Sequence, residues 1–319
     1  MYNTKQHICI IVTIVSASIS CCCAPVSAWS NGGYSDNPGD VQYGTHDWIA
    51  EHALDFLPPT ERQYIDNNLN WYLYGTELPD NSRPDDGIGD TSRHHVYFYE
   101  NGSLMDDASA TRAQDIYNNT IAFLKTGDQV NASKYAGIMT HYIADVAVFG
   151  HVMGKKTDWD AEVHHGDYES YVRRRTGSNA SEAFDPYIRF DGTLEIVTAY
   201  NATIYVANDT TFDAESEGHG CTWMDSHYNW SNPEFRDECG ESLNLATNAI
   251  ADVLHTLYNE ACSEQRGDLN GDGRITPADA AITLRMAVNG EYSDNADINR
   301  DSSITSLDAL MILQDVETG

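Results

Sequence analysis

The chain has 319 residues, with 49 Asp and Glu against 18 Lys and Arg, a formal net charge of −31 and a pI near 4.4. Such acidity disfavours tight binding to nucleic acid or to an anionic membrane, because phosphates attract basic faces. Most of the charge reads as a solubility device in salty surroundings, and no stretch after residue 28 is apolar for long enough to span a bilayer.

Residues 1–28 read as a secretory signal, with Lys5 as the positive start, Ile8 to Ile19 as the apolar core and Val26 to Ala28 as a small-residue cleavage site. Cleavage there makes Trp29 the new N-terminus. The alternative, a lipid on Cys21, Cys22 or Cys23, lacks a Leu-like residue three positions before Cys21, where Ser18 stands. The remaining cysteines fit an exported, oxidised protein. Cys221 and Cys239 bracket a loop rich in Trp and Asn and are expected to pair, a closure worth about 3 kcal/mol in the chain-entropy model. Cys262 is left odd. Sequons at Asn101, Asn118, Asn131, Asn179, Asn201, Asn208 and Asn229 suggest a glycoprotein.

The first helix is expected over Thr45–Leu57, with Trp48, Ile49, Ala53, Leu54 and Leu57 on one stripe and Pro58-Pro59 closing it. His46 opens that helix, and His52 reads as a surface residue. Helix-like segments follow over Glu61–Tyr74, then a loop carrying Asp80 and an acidic stretch of Asp85, Asp86 and Asp90 that reads as solvated surface or calcium carboxylates. Two helices are expected between residues 110 and 150, and others over Tyr168–Arg175, Leu194–Val206 and Glu241–Cys262. His255 on the last of these reads as a core or rim residue, and His219 and His227 receive no role.

The second helix between 110 and 150 carries the chemistry. His141 and Asp145 are i and i+4, so an imidazole and a carboxylate leave the same face one turn apart, the way a helix offers two ligands to one metal. Alone, such a pair is most often an ordinary surface contact. Here His165 and Glu169 repeat the geometry and His151 lies between the pairs, which describes a polynuclear metal site.

Trp29, His46, Asp80, His95, His141, Asp145, His151, His165 and Glu169, in that order, resemble the ligand array of the zinc-dependent phospholipase C and single-strand nuclease family. The resemblance covers residues 29–262 and implies an all-α catalytic domain with three zinc ions in one cleft. One zinc would take Asp80, His95, His141 and Asp145, a second His151, His165 and Glu169. The third would take His46, a shared Asp145, and Trp29 through its freed amino and carbonyl groups. His95 is favoured over His94 because the text from His95 to Gly102 runs without gaps beside the phospholipase pattern, and the step to Glu169 selects His165 over His164. Asp80 is implied as the group that orients or deprotonates the attacking water. Glu169, where the nucleases have Asp, and the wide spacing from Trp29 to His46 lean towards a phospholipase C. Asn81 and Ser92 do not match the choline-side pocket, which leaves other phosphoesters open.

At Arg266 the text changes character. Asp268, Asn270, Asp272, Arg274 and Asp279 repeat as Asp297, Asn299, Asp301, Ser303 and Asp308, oxygen-bearing positions 1, 3, 5, 7 and 12 of an EF-hand-like calcium loop. Each loop is followed by an apolar helix, Ala280–Val288 and Ala309–Val316. With Asp at position 12 and no helix before either loop, residues 267–319 resemble a dockerin module, which implies two Ca²⁺ ions and a cohesin partner; residues 263–266 are a short linker. Ser302 stands where the first loop has Gly273, which weakens the second turn.

The expected protein is therefore a secreted, two-module, trinuclear-zinc phosphoesterase attached through cohesin, with a single-strand nuclease of the same fold as the alternative. From another class, a non-catalytic, zinc-stabilised component of a cohesin–dockerin assembly is opposed by the intact ligand set. A carbohydrate enzyme would need a separate carboxylate pair that the sequence does not identify.

Overall fold

The computed structural model describes residues 29, 31–176, 184–213, 218–263, 266–270 and 274–318. The signal, the Asn179 sequon, Asp272, Gly273 and the Cys262 side chain lie outside the described residues.

The described residues are mostly helical, with one short antiparallel ribbon among them of β1 (Tyr97–Phe98) and β2 (Leu104–Asp106). α1 (Thr45–Asp55) begins where the Asp47 carboxylate turns back to accept the Gly44 N–H at 2.8 Å. α2 (Pro59–Asp66) starts on a proline, whose missing N–H is harmless in a first turn. α3 (Leu69–Glu77), α4 (Ala108–Lys125) and α5 (Gln129–Asp145) follow, then the single turn α6 (Phe149–Val152) and α7 (His165–Thr176). α8 (Ala199–Phe212) starts later than its apolar pattern suggests, because the Thr198 hydroxyl caps it by accepting from Asn201 N–H. α9 (Cys221–Ser226) and α10 (Pro233–Ser263) complete the large domain; α10 runs well N-terminal of Glu241.

α5 is the axis of the domain. From Ala136 to Asp145 every residue is buried, as expected for a helix surrounded on all sides, and α1, α2, α3, α4, α8 and α10 all pack on it. Its approach to α3 is backbone to backbone. A Cβ on Gly137 would lie 1.9 Å from the Tyr72 carbonyl oxygen, and one on Gly75 would lie 2.2 Å from that of Lys134. Those two glycines let the segments bearing His141 and Asp80 come together.

Cys221 and Cys239, expected as a disulfide, are both free and buried. Cys221 opens α9, while Cys239 lies inside α10 and hydrogen-bonds with the Tyr168 hydroxyl. Burial pushes each thiol up to about 12, so both act as core residues.

The C-terminal module comprises α11 (Pro277–Asn289) and α12 (Ser306–Thr318), packed on each other. Its own buried apolar cluster is small: Ala280, Ala309 and Ile312, with Leu269, Ile275 and Ile298 partly covered. Asp279 accepts N–H groups from Leu269, Asn270 and Thr276, and Asp308 does the same for Ile298, Asn299 and Thr305. Each position-12 carboxylate thus ties its loop to its helix. Ser302 takes φ +64°, the left-handed region that glycine would occupy without penalty.

Candidate metal centre

The C-terminal half of α5 delivers His141 and Asp145 into the core, both fully buried. The Asp145 carboxylate divides its two oxygens. Oδ1 lies 3.2 Å from His46 Nε2, and Oδ2 lies 3.1 Å from His141 Nε2 and 3.0 Å from His94 Nδ1. His46 comes from the first turn of α1 and stacks on the His141 ring, centroids 3.8 Å apart. Asp80, just past α3, faces His94 Nδ1 at 3.4 Å through Oδ1, while its Oδ2 accepts from the Asn31 amide at 2.8 Å.

His94, and not His95, occupies this cluster. Past the 3₁₀ turn at Thr91–Arg93, burial alternates residue by residue into the ribbon. His94 and Val96 therefore point inward and are buried, while His95 and Tyr97 share the other side, stacked at 4.2 Å. His95 pairs with Asp106 across the ribbon, Nε2 to Oδ2 at 3.1 Å. His95, expected in the cluster, belongs instead to the ribbon, and His94 takes its place.

A second group lies on α6 and α7. His165 Nε2 is 2.6 Å from Glu169 Oε1, and His151 Nε2 is 3.6 Å from the same oxygen. His151 and His165 meet edge to face at 4.7 Å. Gly150 makes room for this, since a Cβ there would sit 2.3 Å from the His165 ring. His164 instead stacks on Tyr228 outside the group.

Trp29 is fully buried, its indole N–H donating to the Ala144 carbonyl at 2.8 Å and its ring against Tyr168 at 5.5 Å. Its two neighbours each precede a ligand candidate, Asp145 and Glu169. The segment after it is clamped by Glu77, which accepts from Ser35 N–H, Ser35 Oγ–H and Gln42 N–H, and by Asn81, whose amide donates to the Ser35 carbonyl. Asn81 is thereby committed to structure rather than to a headgroup pocket.

One backbone carbonyl and two further side chains aim the imidazoles, and the sequence singled none of them out for that role. The Thr76 carbonyl receives His141 Nδ1 at 2.6 Å, which leaves Nε2 as the lone-pair nitrogen. Asp90 faces His94 Nε2 at 3.5 Å and accepts from Tyr142 O–H and Arg112 Nε–H. Glu162 faces His165 Nδ1 at 3.7 Å. Asp90 lies i−4 from His94, a spacing visible in the sequence only once His94 is chosen. Of the neighbouring acids, Asp86 is engaged by Tyr74 and Lys134.

The arrangement fits bound cations. His46 Nε2, Asp80 Oδ1, both Asp145 oxygens, His151 Nε2, His165 Nε2 and Glu169 Oε1 are buried without a hydrogen-bond partner. Several lie 2.6–3.2 Å from one another yet are not aligned to bond each other. Lone pairs that converge on a shared point are the geometry of metal ligands, and mixed imidazole and carboxylate donors suit zinc. The charges agree. Burial alone would raise the Asp145 carboxyl, but His141, His94 and His46 hold it well below the usual range. Burial would lower His94, yet Asp145, Asp90 and Asp80 pull it up to about 10, so the carboxylates call for positive charge at that point. Burial beside His141 pushes His46 down to about 3, leaving the neutral imidazole a metal needs.

The sequence model for zinc-dependent phospholipase C matches residues 45–210, over half of the chain. The chain belongs to the zinc-dependent phospholipase C family. It is accordingly a zinc-dependent phosphoric ester hydrolase, all-α, and residues 266–317 match the type I dockerin domain. Among solved structures, it is similar to the alpha toxin of Clostridium absonum, with 13% identity and a TM-score of 0.49, over 76% of this chain and 67% of the toxin. For the alpha-toxin of Clostridium perfringens from an avian strain, the values are 14% and 0.43, over 72% of this chain and 65% of the toxin. The chain thus spans about two thirds of each toxin's length, and the assignment rests on the family match. A search of curated proteins found no match.

Proposed function

We propose that the chain is a phospholipase C-type enzyme that cleaves the glycerol-side phosphodiester bond of phospholipids with three zinc ions, and that its dockerin holds it to a cohesin-bearing partner outside the cell. The observation that carries the reading is the division of Asp145, whose two oxygens face different imidazoles. A neutral imidazole cannot bridge two cations, whereas a carboxylate can. One ion would lie on His46, Asp145 and the amino end of a mature Trp29. A second would lie on Asp80, His94, His141 and Asp145, and a third on His151, His165 and Glu169. Zinc, when bound, supplies Lewis acidity at the phosphoryl oxygens and a nucleophile from water at neutral pH.

The chain's own groups do the rest. Asn31 holds one Asp80 oxygen, which turns the other towards the cluster, where it would serve both the ion and the attacking water beside it. Burial raises the Asp80 carboxyl from the ordinary range, a cost that a bound cation would offset. Water oxygen bonds to phosphorus and Asp80 takes its proton, and the bond to the diacylglycerol oxygen breaks as that oxygen takes the proton back from Asp80 by way of solvent water. Asp90 and Glu162 fix the rings of His94 and His165, and such partners typically matter about 10- to 100-fold. The calcium ions would lie on Asp268, Asn270, Asp272, Arg274 and Asp279, and on Asp297, Asn299, Asp301, Ser303 and Asp308.

One zinc-loaded preparation, presented with phosphatidylcholine, single-stranded DNA and a chromogenic phosphodiester, tests the substrate. Phosphocholine release should dominate. Degradation of DNA alone would make the chain a nuclease of the same fold, and inactivity on all three would favour a non-catalytic component.

A further inference from the structure

A second place in the large domain brings an imidazole and two carboxylates together, sharing no residue with the cleft. Asp213 ends α8, His219 lies one residue before the α9 cap, and Glu238 is on α10. One ligand atom from each lies within 4.8 Å of the other two. His219 Nδ1 is 3.6 Å from Glu238 Oε2, close to the edge of about 3.4 Å that bonds of ~2.1 Å give in a tetrahedron.

We propose that Asp213, His219 and Glu238 form a further cation site, for Zn²⁺ or a similar divalent transition metal, that fastens α9 to the ends of α8 and α10.

The niche is built before any ion arrives. Asp213 is 5% exposed, and one of its oxygens accepts the His219 N–H at 2.7 Å, which ties the backbone of His219 to it. Its other oxygen has no hydrogen bond among the described residues. Trp223 stacks on the imidazole at 3.9 Å and fixes its plane. Glu234 faces Nε2 at 3.6 Å, in the place of the outer carboxylate that orients a metal-bound histidine through its second nitrogen.

Charge argues the same way. Asp213, Glu234 and Glu238 surround a single imidazole, so even a protonated His219 would leave the niche negative. An imidazole ligand with two carboxylates favours a transition metal over Ca²⁺ or Mg²⁺, which prefer all-oxygen shells.

The site has a route to the catalytic cleft. The Asp225 carboxylate on α9 accepts the N–H groups of Val163 and His164, immediately before His165. α9 also packs on α6, which carries His151. An ion that holds α9 therefore steadies the backbone on which one cleft group is mounted, without touching it.

Diffraction from zinc-loaded full-length protein at the zinc absorption edge reads the site directly. An anomalous peak within about 2.5 Å of His219 Nδ1 and both carboxylates is expected. Its absence would overturn the proposal. Elemental analysis then compares wild type with His219→Ala and Glu238→Gln, each of which should carry about one zinc fewer. An unchanged count would also overturn it. Glu238→Gln keeps shape, so the comparison survives if His219→Ala does not fold. Zinc added to the wild type should raise the unfolding temperature by about 5 °C more than in either variant. None of these readouts depends on hydrolysis, so failure of the phospholipase reading would leave them interpretable.

Discussion

The two modules solve opposite problems with metal ligands. In the large domain most of the candidate ligand side chains ride on helices buried in one extensive apolar cluster that runs from Trp29 through α5 to Leu257. In the dockerin the buried apolar cluster is Ala280, Ala309 and Ile312. A core of that size contributes little against the conformational entropy of some fifty residues. The large domain thus holds its candidate ligands in place, whereas in the small module the candidate ligands and the ions they would bind are expected to hold the chain. Carboxylates serve both modules, and the amount of apolar surface beneath them decides which is cause and which is effect.

Metal removal breaks the comparison most directly. Stripping calcium should unfold residues 267–319 and abolish cohesin binding, while phosphoester hydrolysis stays within about twofold. Stripping zinc should abolish hydrolysis and leave most of the helical circular dichroism of the large domain. A dockerin still helical in chelator, or a large domain that collapses without zinc, would reverse the distinction.

Single ligands come next. Asp145→Ala should lose more zinc than His46→Ala, because its two oxygens face separate imidazoles. His94→Ala should reduce kcat/KM about 100-fold or more, beyond the usual range for an orienting group. His95→Ala should stay within about threefold, since that ring serves the ribbon pair with Asp106. Steady-state kinetics and metal analysis of the four variants separate these cases.

Gly150→Ala probes the preformed ring position with no change of charge. The added Cβ meets the His165 ring at 2.3 Å, so the ring must move and its zinc should be lost. A drop of about tenfold in hydrolysis is expected, with one zinc fewer by elemental analysis. Unimpaired zinc content would show that the cleft is as adaptable as the calcium loops.

The smallest effect belongs to a carboxylate that serves no proposed metal. Burial, with Asp191 and Glu195 nearby, raises Asp252 to about 6 from the ordinary 3.8. The folded state therefore holds this proton more tightly than the unfolded chain does. That contribution is fully present below pH 3.8 and is lost as pH climbs through about 6. Asp252→Asn keeps an acceptor for the Glu195 N–H and should flatten the fall in unfolding temperature across that window. Partial solvent exposure limits the change to below ~1 kcal/mol.

Much of the helical order was legible because helices are local. The i, i+4 steps from His141 to Asp145 and from His165 to Glu169 turn directly into shared faces, and the oxygen pattern of Asp268–Asp279 and Asp297–Asp308 needs no distant partner to be recognised. The sequence also ordered the ligand candidates along the chain. Tertiary structure alone chose His94 over His95, because these neighbours face opposite sides and only the packing of the segment on the core shows which side is inward. It also left Cys221 and Cys239 as separate buried thiols, set Asp90 and Glu162 behind the imidazoles, and drew Asp213, His219 and Glu238 together from three elements. Local periodicity fixes which face a side chain takes on its own helix. Which other face it meets depends on how the helices cross, and here that crossing is set around α5 by Gly75 and Gly137.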